Sequence, residues 1–113
     1  MTDRKTAAGD GAQAAIKDVS SAYAKAKAVI AAIPDGQEAF ERATELYDLL
    51  RKLHEEAAGF RAQMVHRIWE TEKLSLAGLA NRISVSRARA GQLLDSAKKA
   101  REDEDPEQRN GGA

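Results

Sequence analysis

The stretch from Lys73 to Arg101, KLSLAGLANRISVSRARAGQLLDSAKKAR, determines how the rest of this chain is organised. Apolar residues recur at helical intervals twice within it, first over residues 76–83 and again over residues 90–97. The period is interrupted at Ser84, and Ser86 is a residue type that favours the N-cap of a helix. We therefore expect two short helices joined by a tight corner, which is the pattern of a helix-turn-helix.

The second of these helices begins with a basic and polar front. Arg87 and Arg89 follow the cap, and Gln92 lies on the next turn. Residues 73–101 hold seven Lys or Arg against one Asp, whereas the whole chain has 18 residues of each sign. Such a charge run is often only a solvated helix surface. However, cations in a first helical turn oppose the helix dipole, so their placement here favours a site that meets a polyanion.

The run VSRARAGQL, residues 85–93, resembles the recognition helix in the fourth conserved region of bacterial sigma factors. The preceding LAGLA, residues 76–80, fits the first helix of the same motif. This resemblance covers the last third of the chain, and it implies a helix-turn-helix that reads the major groove with Arg87, Arg89 and Gln92. No upstream segment resembles the promoter-melting region of sigma factors, so we do not expect a complete sigma factor.

Three residues depart from the pattern of that family. Ser84 stands where such turns usually have glycine, and a left-handed backbone costs a residue with a side chain about 1 to 2 kcal/mol. Ala90 stands where a branched aliphatic residue is usual. Gly91 weakens a helix by about 1 kcal/mol relative to alanine. These departures lower the expected stability of the motif.

Two longer helical segments precede the motif. An apolar stripe extends from Ile16 to Ile33, the sequence Pro34-Asp35-Gly36 predicts a reversal, and a second amphipathic helix is predicted from Gln37 to about Thr71. We therefore expect an all-α fold, with a long helical hairpin followed by a C-terminal helix-turn-helix. The predicted segments are a disordered tail at residues 1–11, the hairpin and dimerisation region at 12–72, the helix-turn-helix unit at 65–101, and an acidic disordered tail at 102–113.

The second long helix has more apolar surface than the first can cover. At 1.5 Å per residue its stripe is about 50 Å long, whereas the first helix is shorter and rich in alanine. An intramolecular hairpin alone is one possible arrangement. We expect instead a homodimer with two reading heads. Its interface residues are predicted to be Leu46, Leu50, Leu53, Ala57 and Phe60.

No residue pattern indicates catalysis or metal binding. His54 and His66 are too far apart on one helix to form a metal-binding pair, and the absence of cysteine excludes thiolate sites and disulfides. Ser75 and Ser86 are better explained as helix caps than as nucleophiles. No apolar run has the length of a membrane span, and the N-terminus lacks a signal peptide. We expect no enzyme activity, no cofactor, no membrane partner and a cytoplasmic location.

The expected function is sequence-specific regulation of transcription through binding to double-stranded DNA. Arg87, Arg89 and Gln92 would contact base edges, and phosphate contacts would come from Lys73, Arg82, Ser86, Lys98, Lys99 and Arg101. One alternative is an adaptor or sigma mimic that binds RNA polymerase, because the region it resembles also docks on polymerase. Another is a structural hairpin with a degenerate motif.

Overall fold

The computed structural model describes residues 7–104, which form four α-helices and no strand. In order they are α1 (Ala7–Ala31), α2 (Gly36–Glu72), α3 (Leu76–Arg82) and α4 (Arg87–Glu104). The all-α class and the long helical hairpin are thus confirmed. The chain divides into two compact units, Met1–Leu50 and Arg51–Ala113, which we call the hairpin unit and the motif unit. No helix in the described range is long and apolar enough to cross a membrane.

The outer ends of α1 and α4 extend further than the sequence predicts. Residues 7–11 are helical rather than disordered, since Ala7 and Ala8 favour helix and Asp10 suits the positive end of the helix dipole. Residues 102–104 continue α4, where Lys98 and Lys99 precede acidic residues by four positions. The remainder of both predicted tails lies outside the described residues.

The corner between α1 and α2 forms where Pro34-Asp35-Gly36 predicts it. Asp35 caps α2, because its carboxylate accepts a hydrogen bond from the backbone N–H of Glu38 at 2.9 Å. Its carbonyl accepts another from the N–H of Ala39, also at 2.9 Å. The observed ends of α2 lie within one residue of the predicted Gln37 and Thr71.

The hairpin unit has no buried side chain among its described residues, 7–50. Its apolar contacts reach only partial burial. The half-buried residues lie towards the corner and are Ala26, Ile30, Ile33, Ala39 and Leu46.

The hydrophobic core lies in the motif unit and draws on three helices. Its buried residues are Ala62 and Val65 of α2, Leu79 and Ala80 of α3, and Ala90, Leu93 and Ala97 of α4. Partly buried side chains pack around this cluster: Ile68, Trp69, Leu74, Leu76, Ile83, Val85 and Leu94. The last turns of α2 therefore act as the first helix of a three-helix unit, which extends the predicted 65–101 unit back to Ala62.

Gly59 marks a close approach of α2 to α4. A Cβ atom built on Gly59 would lie 3.0 Å from the Cβ of Ala100, nearer than real Cβ atoms normally come. From the sequence alone, Gly59 predicts only a local weakening of α2. In the fold it is the position that lets the end of α4 lie against α2.

Candidate nucleic-acid interface

The corner between α3 and α4 is built from local hydrogen bonds. Ser75 caps α3, and its Oγ accepts a hydrogen bond from the N–H of Gly78 at 3.0 Å. After α3, Ser84 adopts a left-handed backbone with φ of 61°, and the next N–H, that of Val85, donates to Ala80 O at 2.9 Å. The predicted left-handed position at Ser84 is therefore confirmed.

The start of α4 concentrates positive charge. Ser86 caps the helix, since its Oγ accepts a hydrogen bond from the N–H of Arg89 at 3.0 Å, and its carbonyl accepts one from Ala90 at 2.9 Å. The first turn contains no acidic residue. Unpaired backbone N–H groups and the helix dipole therefore add to the charges of Arg87 and Arg89 at this end.

Arg87, Arg89 and Gln92 are all exposed, but they lie on two flanks of α4. Because each residue of an α-helix turns about 100°, Arg87 and Arg89 are about 160° apart around the axis. The buried side of the helix is fixed by Ala90 and its neighbours in the core. Arg87 lies on one flank of the opposite, outward side. Arg89 and Gln92 lie together on the other flank, where Nη1 of Arg89 donates to Oε1 of Gln92 at 3.4 Å.

The middle of the outward side changes character along α4. In the first two turns it carries the small residues Ala88 and Gly91, and further along it carries Asp95, Lys99 and Glu102, two carboxylates and one amine. Small residues allow the backbone to approach a groove floor, whereas carboxylates are repelled by phosphate. This gradient favours contact between a polyanion and the N-terminal end of α4.

The predicted phosphate-contacting residues are exposed and spread over the motif unit. Lys73 follows α2 with φ of 52°. Arg82 forms an exposed ion pair with Glu72, with Nε 3.2 Å from Oε1, and such pairs contribute little to stability. By helical phase, Lys98 lies on the flank of Arg87. Lys99 lines a groove together with Arg89. Arg101 is near the end of α4, and Ser86 is near its start.

One basic residue that the sequence pattern does not single out lies beside these. Arg61 of α2 lines a groove along α4 together with Arg89 and Lys99. Glu55 and Asp103 line the same groove, so its charge is partly balanced. In the sequence, Arg61 stands next to Ala62, and this is the one sign that it lies at the edge of the apolar side of α2. Only the orientation of α2 against α4 shows that Arg61 lines the groove.

The predicted dimer-interface residues have unequal exposure. Leu46 is half-buried, whereas Leu50, Leu53, Ala57 and Phe60 are exposed. The apolar surface of α2 predicted to require a partner is therefore open along most of its length.

His54 and His66 both lie on α2, and the described residues contain no group of three or more side chains placed to hold a metal ion. The ring of His66 makes an edge contact with Trp69, with centroids 5.6 Å apart, and its Nδ1 lies 3.7 Å from a carboxylate oxygen of Glu70. The indole Nε1 of Trp69 is buried without a hydrogen-bond partner. We see in this pair a packing contact at the edge of the core.

Comparison with known proteins found no matching family model, and no curated protein or solved structure gave a significant match.

Proposed function

We propose that this chain is a regulator of transcription that binds double-stranded DNA sequence-specifically, with α4 as its recognition helix. One observation carries the proposal. The first two turns of α4 present exposed Arg87, Arg89 and Gln92 and no acidic side chain, and a core shared with α2 and α3 holds this end in place. Recognition helices in this three-helix arrangement enter the major groove with their N-terminal residues.

The residue types fit a division between base and phosphate contacts. Arginine binds guanine and glutamine binds adenine through paired hydrogen bonds in the major groove. Because Arg87 and Arg89 occupy opposite flanks of α4, each faces a different wall of the groove. The N-terminus of α4 at Ser86 suits a phosphate, and Lys73, Arg82, Lys98, Lys99 and Arg101 supply further positive charge, to which we add Arg61.

A homodimer would present two copies of α4 to an inverted repeat. The open apolar surface of α1 and α2 supports this part of the proposal. Two-fold symmetry of the protein then predicts two-fold symmetry of the preferred duplex.

The proposal is tested by selecting duplexes from a random pool and measuring their affinities by fluorescence anisotropy over a series of salt concentrations. Arg87→Ala should lower the preference for the selected duplex about 5- to 150-fold, since a paired base contact gives about 1 to 3 kcal/mol of discrimination. Lys98→Ala should weaken selected and random duplexes equally and reduce the salt slope by about 0.9. Arg42→Ala, a matched change in the hairpin unit, should alter neither affinity.

Two results would contradict this function. If no duplex is enriched, α4 does not read bases. If Arg87→Ala keeps full preference, Arg87 is not a base-contacting residue. Binding to RNA polymerase in the absence of duplex binding would support the adaptor instead, because a protein contact does not require phosphate neutralisation.

A further inference from the structure

In its described residues, 7–50, the hairpin unit lacks the buried core that a stable helical unit needs. None of its described residues is buried, although it contains the whole of α1 and the first 15 residues of α2. On α1, Ile16 and Val19 are 69% and 66% exposed. Because most helical stability in proteins comes from packing of an apolar face, this unit requires a further surface to pack against.

The first part of α2 has an apolar side wide enough for two neighbours. Ala39, Ala43, Leu46 and Leu50 recur at alternating steps of four and three residues, which are the seam positions of a helix pair. Phe40 and Tyr47 lie beside this seam and are 66% and 62% exposed. A seam widened by a third position is typical of a helix that packs in a bundle rather than against one partner.

The charged residues of this part of α2 lie away from that side. By helical phase, Glu41 and Asp48 lie opposite the seam. Glu38, Arg42 and Glu45 lie on the flank away from Phe40 and Tyr47, where they line a groove with Ile30 and Ile33 of α1. Arg42 and Glu45 pair with each other at 3.0 Å. The surface that contains Phe40 and Tyr47 is therefore uncharged.

The charges of α1 and α2 are complementary. α1 carries Lys17, Lys25 and Lys27 against two aspartates, whereas α2 up to residue 50 carries four acidic residues against one arginine. Two copies placed so that α1 of one lies beside α2 of the other would bring helices of opposite net charge together, with the charged side chains flanking the apolar sides rather than within them. This favours the pairing over contact between like helices.

The exposed apolar area is close to what a stable interface requires. Eight large apolar residues of the hairpin unit are exposed: Ile16, Val19, Tyr23, Val29, Phe40, Tyr47, Leu49 and Leu50. With about 200 Å² for an aromatic side chain and about 150 Å² for an aliphatic one, their exposed area is on the order of 750 Å². A standard interface buries about 800 Å² on each partner.

We propose that the hairpin unit pairs with the hairpin unit of a second copy to form a four-helix bundle, with Phe40 and Tyr47 near the centre of the interface and α1 of one copy against α2 of its partner. This arrangement rests on the homodimer of the proposed function and moves its centre from Leu53 towards the corner of the hairpin. Bundles of four helices pack in this way around apolar seams.

Sedimentation equilibrium of the full chain tests the interface. The wild-type mass should be twice 12.2 kDa at micromolar concentration. The double variant Phe40→Glu with Tyr47→Glu should sediment as one chain, with an association constant at least 100-fold lower. Gln37→Glu with Thr44→Glu is the matched control, because it adds the same charge at the same spacing on exposed residues that helical phase turns away from the seam. This control should keep the wild-type mass.

A second pair of variants tests the charge pairing without adding charge to the apolar side. Lys17 and Lys25 are exposed on α1 and lie away from Tyr23, over whose ring Lys27 sits at 5.5 Å from the centroid. Changing Lys17 and Lys25 to Glu should therefore leave the helix content measured by circular dichroism intact. Association should weaken about tenfold at low salt, and the difference from wild type should shrink as salt rises. This measurement remains decisive if the aromatic double variant fails to fold.

Several outcomes would overturn the proposal. A wild-type chain that is monomeric at 100 µM has no such bundle, and an aromatic double variant that associates like wild type places the interface elsewhere. Unchanged association of the lysine variant removes the contact between α1 and the partner's α2. The DNA-binding proposal is tested independently of the bundle. A monomeric variant that still binds a half-site duplex retains the function of the motif unit, and only the bundle proposal fails in that case.

Discussion

Replacing Ser84 by glycine should stabilise the motif unit. Ser84 holds φ at 61°, and this conformation costs a residue with a side chain about 1 to 2 kcal/mol. Its backbone N–H donates to Asn81 O at 3.3 Å, a bond that glycine can also make, and its side chain is exposed. Because glycine loses about 0.5 to 1 kcal/mol more chain entropy on folding, we expect a net gain of about 0.5 to 1 kcal/mol.

Urea unfolding followed by the fluorescence of Trp69 measures this gain. Trp69 is the sole tryptophan of the chain, and it packs against the core of the motif unit, so its signal reports that unit. A gain of this size raises the melting temperature by about 2 to 8 °C for a unit of this length. Ser96→Gly is the matched control, because the same change inside α4 should cost about 0.5 kcal/mol. A lower or unchanged unfolding midpoint for Ser84→Gly would refute the reasoning.

Three other substitutions test the packing and capping of the motif unit. Gly59→Val should lower the free energy of unfolding by about 1 to 3 kcal/mol in the same urea assay, because even a Cβ at this position would lie 3.0 Å from the Cβ of Ala100. A variant as stable as wild type would show that α4 can shift away. Ser86→Ala should lower the free energy of unfolding by about 1 kcal/mol and speed hydrogen exchange at the Arg89 amide. Unchanged exchange at this amide would contradict the capping role of Ser86. Ala90→Val should lower the melting temperature by overpacking a fully buried position, whereas a rise would reveal unfilled space beside α3.

The motif unit could be predicted from sequence because its determinants act over a few residues. The caps at Ser75 and Ser86 bond to N–H groups three positions ahead, and the left-handed residue at Ser84 follows from the length of the corner. The apolar period of residues 76–97 then fixes which sides meet. Each of these signals is present within one short stretch of chain.

Features that depend on the phase of one helix against another could not be predicted in this way. Gly59 has the same sequence context whether it faces solvent or Ala100, and Arg61 joins the groove of Arg89 only because α2 turns that edge towards α4. The resemblance to the sigma region implies that Arg87 and Arg89 face the groove from one side of α4. Helical geometry, once the buried side of α4 is known, separates them onto two flanks.

The hairpin unit illustrates a different reason for incomplete prediction, since the surface that completes it is absent from a single chain. Periodicity identifies the seam of α2 at Leu46 and Leu50, and from the sequence alone this seam is predicted to contact a second copy. The structure has Leu46 half-buried within its own hairpin and leaves Phe40 and Tyr47 largely exposed beside it. A seam position that is already covered has less area to lose on association. The free energy available from a second copy therefore lies mainly in the two aromatic residues beside the seam, which is why their exposure locates the interface better than the periodicity of the stripe.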